Sequence, residues 1–142
     1  MLRKHIVYFI MLIFLLVVFI WSAIDPVNKR LWFYEVSFAV ILVITLIFTH
    51  RRFPLTTLTY AIIFIGTLIM LIGGHYTYNE VPLFCDFVHA MHLKRNPFDR
   101  FGHFFQGVVS TTFFRELLIR KKVICKSRWL SFLIMSISLA IA

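Results

Sequence analysis

Charge is scarce in this sequence: Asp, Glu, Lys and Arg make up 15% of its 142 residues, where a soluble domain carries about a quarter. So little charge cannot cover a globule that is 61% hydrophobic and 18% aromatic, with seventeen Phe, so a water-soluble fold is excluded and the bilayer becomes the solvent. Cysteine is nearly absent as well. Cys85 and Cys125 lie in different polar stretches, neither in a CxxC or other ligand-spaced pair, which leaves no disulfide framework and no zinc knuckle. There is no internal repeat and no low-complexity segment, and the length holds one domain.

What the chain has instead is a series of apolar runs. Helices are expected over about 6–24, 31–49, 55–74, 99–119 and 129–142, with a long outer loop at 75–98. Crossing ~30 Å of hydrocarbon takes about 20 helical residues, and the first four runs are long enough. They must be helices, because isolated strands leave backbone groups unpaired in lipid. The last run covers only roughly 21 Å at ~1.5 Å per residue, and its abrupt end at Ala142 suggests a truncated chain or a fragment. Arg3 and Lys4 precede the first run as they would in a signal peptide. Its apolar core, however, exceeds the usual ~7–15 residues and Trp21-Ser22-Ala23 is a poor cleavage site, so it reads as an uncleaved helix. The expected fold is an all-α membrane protein, a single multi-pass bundle of about five transmembrane helices with the last incomplete.

The net charge of +9 would raise the question of nucleic acid in a soluble protein. Here the cations cluster between apolar runs and read as topology, so no nucleic-acid partner is expected. With the N-terminus in the cytoplasm, the inner ends hold Arg3, Lys4, Arg51, Arg52, Arg115, Arg120, Lys121, Lys122, Lys126 and Arg128. The outer side holds Lys29, Arg30, Lys94, Arg95 and Arg100, and five of the six acids also fall there, leaving only Glu116 inside. This places the protein in an inner (plasma) membrane with the N-terminus in the cytoplasm and the 75–98 loop outside.

The polar groups that need a reason gather in Asn96-Pro97-Phe98-Asp99-Arg100-Phe101-Gly102-His103-Phe104-Phe105-Gln106-Gly107. Pro97 favours an extended residue before it, and a helix starting near Phe98 then enters the membrane. Asp99 and His103 are one turn apart on one face, and Gly102, Gln106 and Ser110 extend the stripe within about 60° at 100° per residue. A polar stripe in the bilayer must face protein or a watery cleft. A carboxylate one turn before an imidazole can orient it as a general base, or both can ligate a divalent metal. Against that stands the plainer reading, in which Asp99 caps the helix and pairs with Arg95 or Arg100 while His103 satisfies a neighbouring helix.

Gly73-Gly74-His75-Tyr76-Thr77-Tyr78-Asn79-Glu80-Val81-Pro82 comes next. The glycines are expected to end the third helix, and Tyr76 and Tyr78 suit an interfacial aromatic belt. His75 and Glu80 emerge at the level of Asp99 and His103, so an outer cluster of His75, Glu80, Asp99, His103 and Gln106 is geometrically reasonable. Glu35, one turn inside the second helix, reaches the same level. Asp86, His89 and His92, spaced by three, read as a solvated helix face rather than ligands. Arg115 can snorkel to the headgroups, and Glu116 needs Arg115, Arg120 or another helix as a partner.

GGHYTYNEVPL (73–83), NPFDRFGHFFQG (96–107) and the following Arg115-Glu116 resemble the YjdF-like inner-membrane proteins of bacteria, a family of unknown function. The Asp-x-x-Gly-His core resembles, more distantly, the VanZ-like membrane proteins linked to glycopeptide and lipoglycopeptide resistance. The family resemblance implies a further Glu-rich helical region, a loop with Trp-Asp and a last helix, none of which is in this chain.

Three functions remain open from sequence. In the first, an envelope enzyme acts on a lipid-linked or cell-envelope substrate, with His103 as base, Asp99 as its orienter, His75 or Glu80 as a second acid or ligand, and Gln106, Arg100 and Tyr78 binding substrate. The metal candidates are His75, Asp99 and His103. In the second, a transporter or ion-binding protein uses the same stripe. Gln106, Ser110 and Thr111 carry it only part of the way, and the first helix does not continue it. In the third, a structural or resistance-accessory protein uses its polar groups only to hold helices together. Oligomeric state is not legible.

Overall fold

A computed structural model describes residues 2–78, 81–82, 97–121 and 128–141. Among these residues there are five α-helices and no strand: α1 (Leu2–Ala23), α2 (Lys29–His50), α3 (Thr57–His75), α4 (Phe98–Arg120) and α5 (Arg128–Ile141). The helices α1, α2 and α3 are each long and apolar enough to cross a membrane. α4, with 23 residues, extends about 35 Å at ~1.5 Å per residue but carries charge at both ends. α5 is apolar and shorter, at 14 residues. The protein is an all-α membrane protein.

α3 is the hub. It packs against α1, α2 and α4, and α5 packs on the far side of α4. The share of each span buried inside the protein follows from this position: 44% for α3 against 6% for α1. The outer wall of α1, including Phe9, Ile10 and Val17, stays exposed and belongs to the acyl chains. Leu46, Leu55 and Ile63 form the core cluster between α2 and α3, with Val109 and Phe113 of α4 packed on it. A small residue makes the α3–α4 approach feasible, because a Cβ on Gly66 would stand 2.5 Å from Val109 Cγ2. α4 and α5 are joined by Thr111 Oγ1, midway along α4, and Ser138 Oγ, near the end of α5, at 2.7 Å, a hydroxyl pair that neither helix could expose to lipid cheaply.

The helix ends are chemically explained. Asn28 caps α2 by accepting from the N–H groups of Arg30 and Leu31 at 3.1 and 3.2 Å. Thr56 caps α3 by accepting from Thr59 N. α4 begins at Phe98, straight after Pro97, which contributes no side-chain cap. Asp99 therefore lies in the first turn rather than at the cap. Gly73 and Gly74 do not end α3: the helix runs through both to His75, and neither has a positive φ. They are small because they are packed, and the left-handed turn that leaves the helix is taken by Thr77 and Tyr78, with φ of 54° and 57°.

The helices alternate in direction, so the bundle has two distinct ends. One collects the end of α1, the start of α2, the end of α3 and the start of α4, and is called the Tyr78 end. The other is the Glu116 end.

Candidate functional site

Tyr78 is the wedge of its end. The left-handed turn folds the chain back so that Tyr78 N–H donates to Gly73 O at 2.8 Å. Its ring then lies over two glycines: a Cβ on Gly73 would collide with the ring, and one on Gly102 would meet Tyr78 Cε1 at 2.9 Å. Phe98 lines the same notch, 5.9 Å away between ring centroids. From there the Tyr78 hydroxyl donates to Glu35 Oε2 of α2 at 3.3 Å. Burial pushes the Tyr78 phenol well above its ordinary value, and the neighbouring Glu35 carboxylate adds to the shift. Tyr78 is thus an internal strut, and of the two only Tyr76, edge-on to His75, fits the expected aromatic belt.

Asp99 and His103 lie on α4 beside this wedge. Asp99 Oδ1 is 3.6 Å from His103 Nε2, and the side chains are 53% and 58% exposed. The pair is one helical turn, as its spacing requires. Neither residue hydrogen-bonds another described helix, so the two are not an interhelical tie. Arg100, next to them, is exposed, and Gln106 is half-buried without a hydrogen bond among the described residues. Gly102, between Asp99 and Gln106 on the same stripe, is buried under Tyr78.

His75 turns the other way, towards α1. Its Nδ1 lies 3.1 Å from Ser22 O, and its ring stacks on Trp21 at 4.5 Å. Ser22 is fully buried, donates to Leu71 O at 2.8 Å and accepts from Trp32 Nε1 at 2.9 Å. His75 therefore belongs to a second unit that pins α1 to α2 and α3. Two of the three metal candidates come together and the third does not. Among the described residues no group of three or more His, Cys, Asp or Glu could hold a metal. Glu80, Asp86, His89 and His92 lie outside the described residues.

At the opposite end Glu116 is satisfied several times over. Its carboxylate accepts from Thr56 N at 2.7 Å, from the Thr56 hydroxyl at 3.0 Å and from the Thr59 hydroxyl, and it pairs with Arg120 Nη2 at 2.7 Å. Arg120 also donates to Pro54 O. The charge expected to need a neighbouring helix has one: it closes the N-terminus of α3. Sequence reading named Arg120 or another helix as the partner of Glu116 but not the threonines, although the run Pro54-Leu55-Thr56-Thr57-Leu58-Thr59 carries an N-cap signal that marks unpaired donors. It also missed Ser22–Trp32–His75, for which a lone Ser in an apolar run gives no signal.

With this geometry in place, the chain can be set against known proteins. Residues 7–142 match the family described as "Predicted membrane protein (DUF2238)". The chain belongs to this family. It is also 38% identical over 128 residues to the inner membrane protein YjdF of Escherichia coli (strain K12), an alignment covering 90% of this chain. The chain spans 61% of that relative's length. No solved structure matches it. Family membership accords with the resemblance carried by the 73–83 and 96–107 motifs. It brings with it membrane location and no reaction.

Proposed function

We propose that this protein handles the polar part of a lipid-linked or cell-envelope substrate at a site on the outer face of the inner membrane, built around Asp99 and His103. The observation that carries the reading is the exposure of this carboxylate–imidazole pair at the mouth of a membrane-entering helix. Ionisable groups that serve only to hold helices together are buried between them, as Glu116 is. Asp99 and His103 hydrogen-bond no other described helix, are more than half exposed and are open to a ligand. In this reading His103 is the general base and Asp99 orients its ring. Arg100 offers a cation to an anionic headgroup, and Gln106 a free amide deeper on the same stripe. Tyr78, held by Glu35, sets the floor of the site. His75 anchors α1 and enters only indirectly, and Glu80 remains a second acid by its position in sequence.

The outward direction rests on the cytoplasmic N-terminus that the excess of Lys and Arg at the Glu116 end supports. The experiment is complementation of a deletion strain by the full-length family protein carrying His103→Ala or Asp99→Asn, with membrane abundance measured in parallel. Loss of complementation at unchanged abundance is expected. Full complementation by His103→Ala, or loss that tracks abundance, would overturn the reading. Divalent metal retained by the purified protein and lost on Asp99→Asn would make the pair ligands rather than base and orienter.

A further inference from the structure

The second feature lies at the other end of the bundle and is independent of Asp99–His103. α1 and α2 each pack on α3 and scarcely on one another. Their side chains meet at the two extremities. Trp32 reaches Ser22 and Phe19 at the Tyr78 end, and His50 meets His5 and Tyr8 at the Glu116 end. Between these points the helices part around a cleft with a cavity volume of about 290 Å³. Its walls are apolar, with Leu12 and Leu15 from α1, Val43 and Ile47 from α2, and Ile63 and Phe64 from α3 as the floor.

Depth, polarity and charge all specify what fits. On α1 the lining runs from His5 to Leu15, which is about 15 Å at ~1.5 Å per residue, or one leaflet's half of a ~30 Å hydrocarbon layer. The polar groups are confined to the headgroup end. There, Tyr60 Oη receives the Leu55 N–H at 3.4 Å and shares a hydrogen bond of 2.6 Å with His50 Nδ1. His50 Nε2 has no hydrogen-bond partner among the described residues, and it donates to a ligand whenever Nδ1 accepts from Tyr60. Immediately beyond it in sequence come Arg51 and Arg52, both exposed and in no ion pair among the described residues. The cleft is thus an acyl-sized slot, one leaflet deep, with His50 at its headgroup end and two exposed cations next in sequence.

We infer that this cleft binds an anionic glycerophospholipid, with one acyl chain lying between α1 and α2 and the phosphate held at His50, Arg51 and Arg52. The ligand enters sideways from the bilayer, where α1 and α2 part, and leaves its second chain among the bulk lipid. A snug apolar slot selects for a chain, whereas the basic end selects for the anionic headgroup.

The test is native mass spectrometry of the purified protein, washed free of endogenous lipid in detergent and exposed to palmitoyl-oleoyl phosphatidylglycerol or to phosphatidylcholine with the same chains. One phosphatidylglycerol retained per protein, at least fivefold over phosphatidylcholine, is expected. Val43→Trp, which fills the slot, should lower retention of both lipids tenfold or more, and Leu15→Phe, a milder filling, should lower it in part. The double variant Arg51→Gln/Arg52→Gln should keep the chain and lose the preference between headgroups. Circular dichroism and melting temperature identify any filled variant that fails to fold, and the charge variant, at two exposed positions, then decides. The inference is overturned by equal retention of the two lipids in the wild type, by undiminished retention in a folded Val43→Trp protein, or by a protein dimer in place of the lipid adduct.

Discussion

The Tyr78 hydroxyl donates to Glu35 Oε2 while the Tyr78 ring fills the notch between Gly73 and Gly102, so one side chain couples α2, α3 and α4. The opposite end repeats the principle with the roles exchanged: the Glu116 carboxylate of α4 accepts from hydroxyl and backbone donors of the α3 N-terminus. At each end a charge that lipid would not tolerate is spent on holding two helices in register.

Tyr78→Phe keeps the wedge and removes only the donor. The Glu35 carboxylate loses its partner, at a cost of about 1–2 kcal/mol that should appear as a lower melting temperature in detergent. The pH dependence has a definite sign. The folded-state pKa of Tyr78 lies above the ordinary value of 10.0, so folding favours the neutral phenol. This contribution is complete below about pH 10 and declines as pH rises beyond it. Wild-type protein should therefore lose stability on alkaline titration more steeply than Tyr78→Phe, and equal slopes would show that the phenol is not buried.

Gly102→Ala tests the wedge itself. The added Cβ would meet Tyr78 Cε1 at 2.9 Å, and the ring cannot retreat because Gly73 confines it on the other side. The cost should be roughly 1–3 kcal/mol, as for other overpacked contacts. Combining Gly102→Ala with Tyr78→Ala should recover part of that loss, because the clash disappears with the ring. Simple additivity of the two substitutions would argue against direct contact.

The membrane class and the helix count were legible because apolar run length alone reports a helix in lipid. The Asp99–His103 juxtaposition was legible for a similar reason: i and i+4 on one helix fixes it locally. What escaped were contacts between helices. Nothing in Gly73-Gly74 distinguishes a helix terminus from a packing notch until Tyr78 is seen lying in it, and His75 shares a level with His103 but faces α1. Rotation of each helix about its axis sets such pairings, and weakly amphipathic, apolar helices give little pattern from which to read it.

Topology has its own test in the two cysteines. Cys85 and Cys125 lie outside the described residues, and the proposed topology, with the N-terminus in the cytoplasm, predicts them on opposite sides of the membrane. An impermeant maleimide added to intact cells, with access through the outer membrane ensured, should label Cys85 alone, and both after permeabilisation. Labelling of Cys125 instead would reverse the bundle and move Asp99 and His103 to the cytoplasmic face.

Glu116 offers the clearest separation of structural from functional charge. Its side chain is 10% exposed and Arg120 is 38% exposed, so the two partners are not equally dependent on one another. Glu116→Ala leaves the Thr56 N–H, the Thr59 hydroxyl and Arg120 without their acceptor, and should cost about 3 kcal/mol or more, seen as loss of folded protein from the membrane. Glu116→Gln keeps an oxygen for the threonines but loses the ion pair, and should be milder. Arg120→Gln should cost only about 0–1 kcal/mol, because water and headgroups already screen that cation and the threonines still satisfy the carboxylate. That order of melting temperatures, with Glu116→Ala lowest and Arg120→Gln highest, identifies the hydrogen bonds to α3 as the dominant contribution. If Arg120→Gln proved as damaging as Glu116→Ala, the ion pair would be the tie, and the α3 cap a secondary consequence of it.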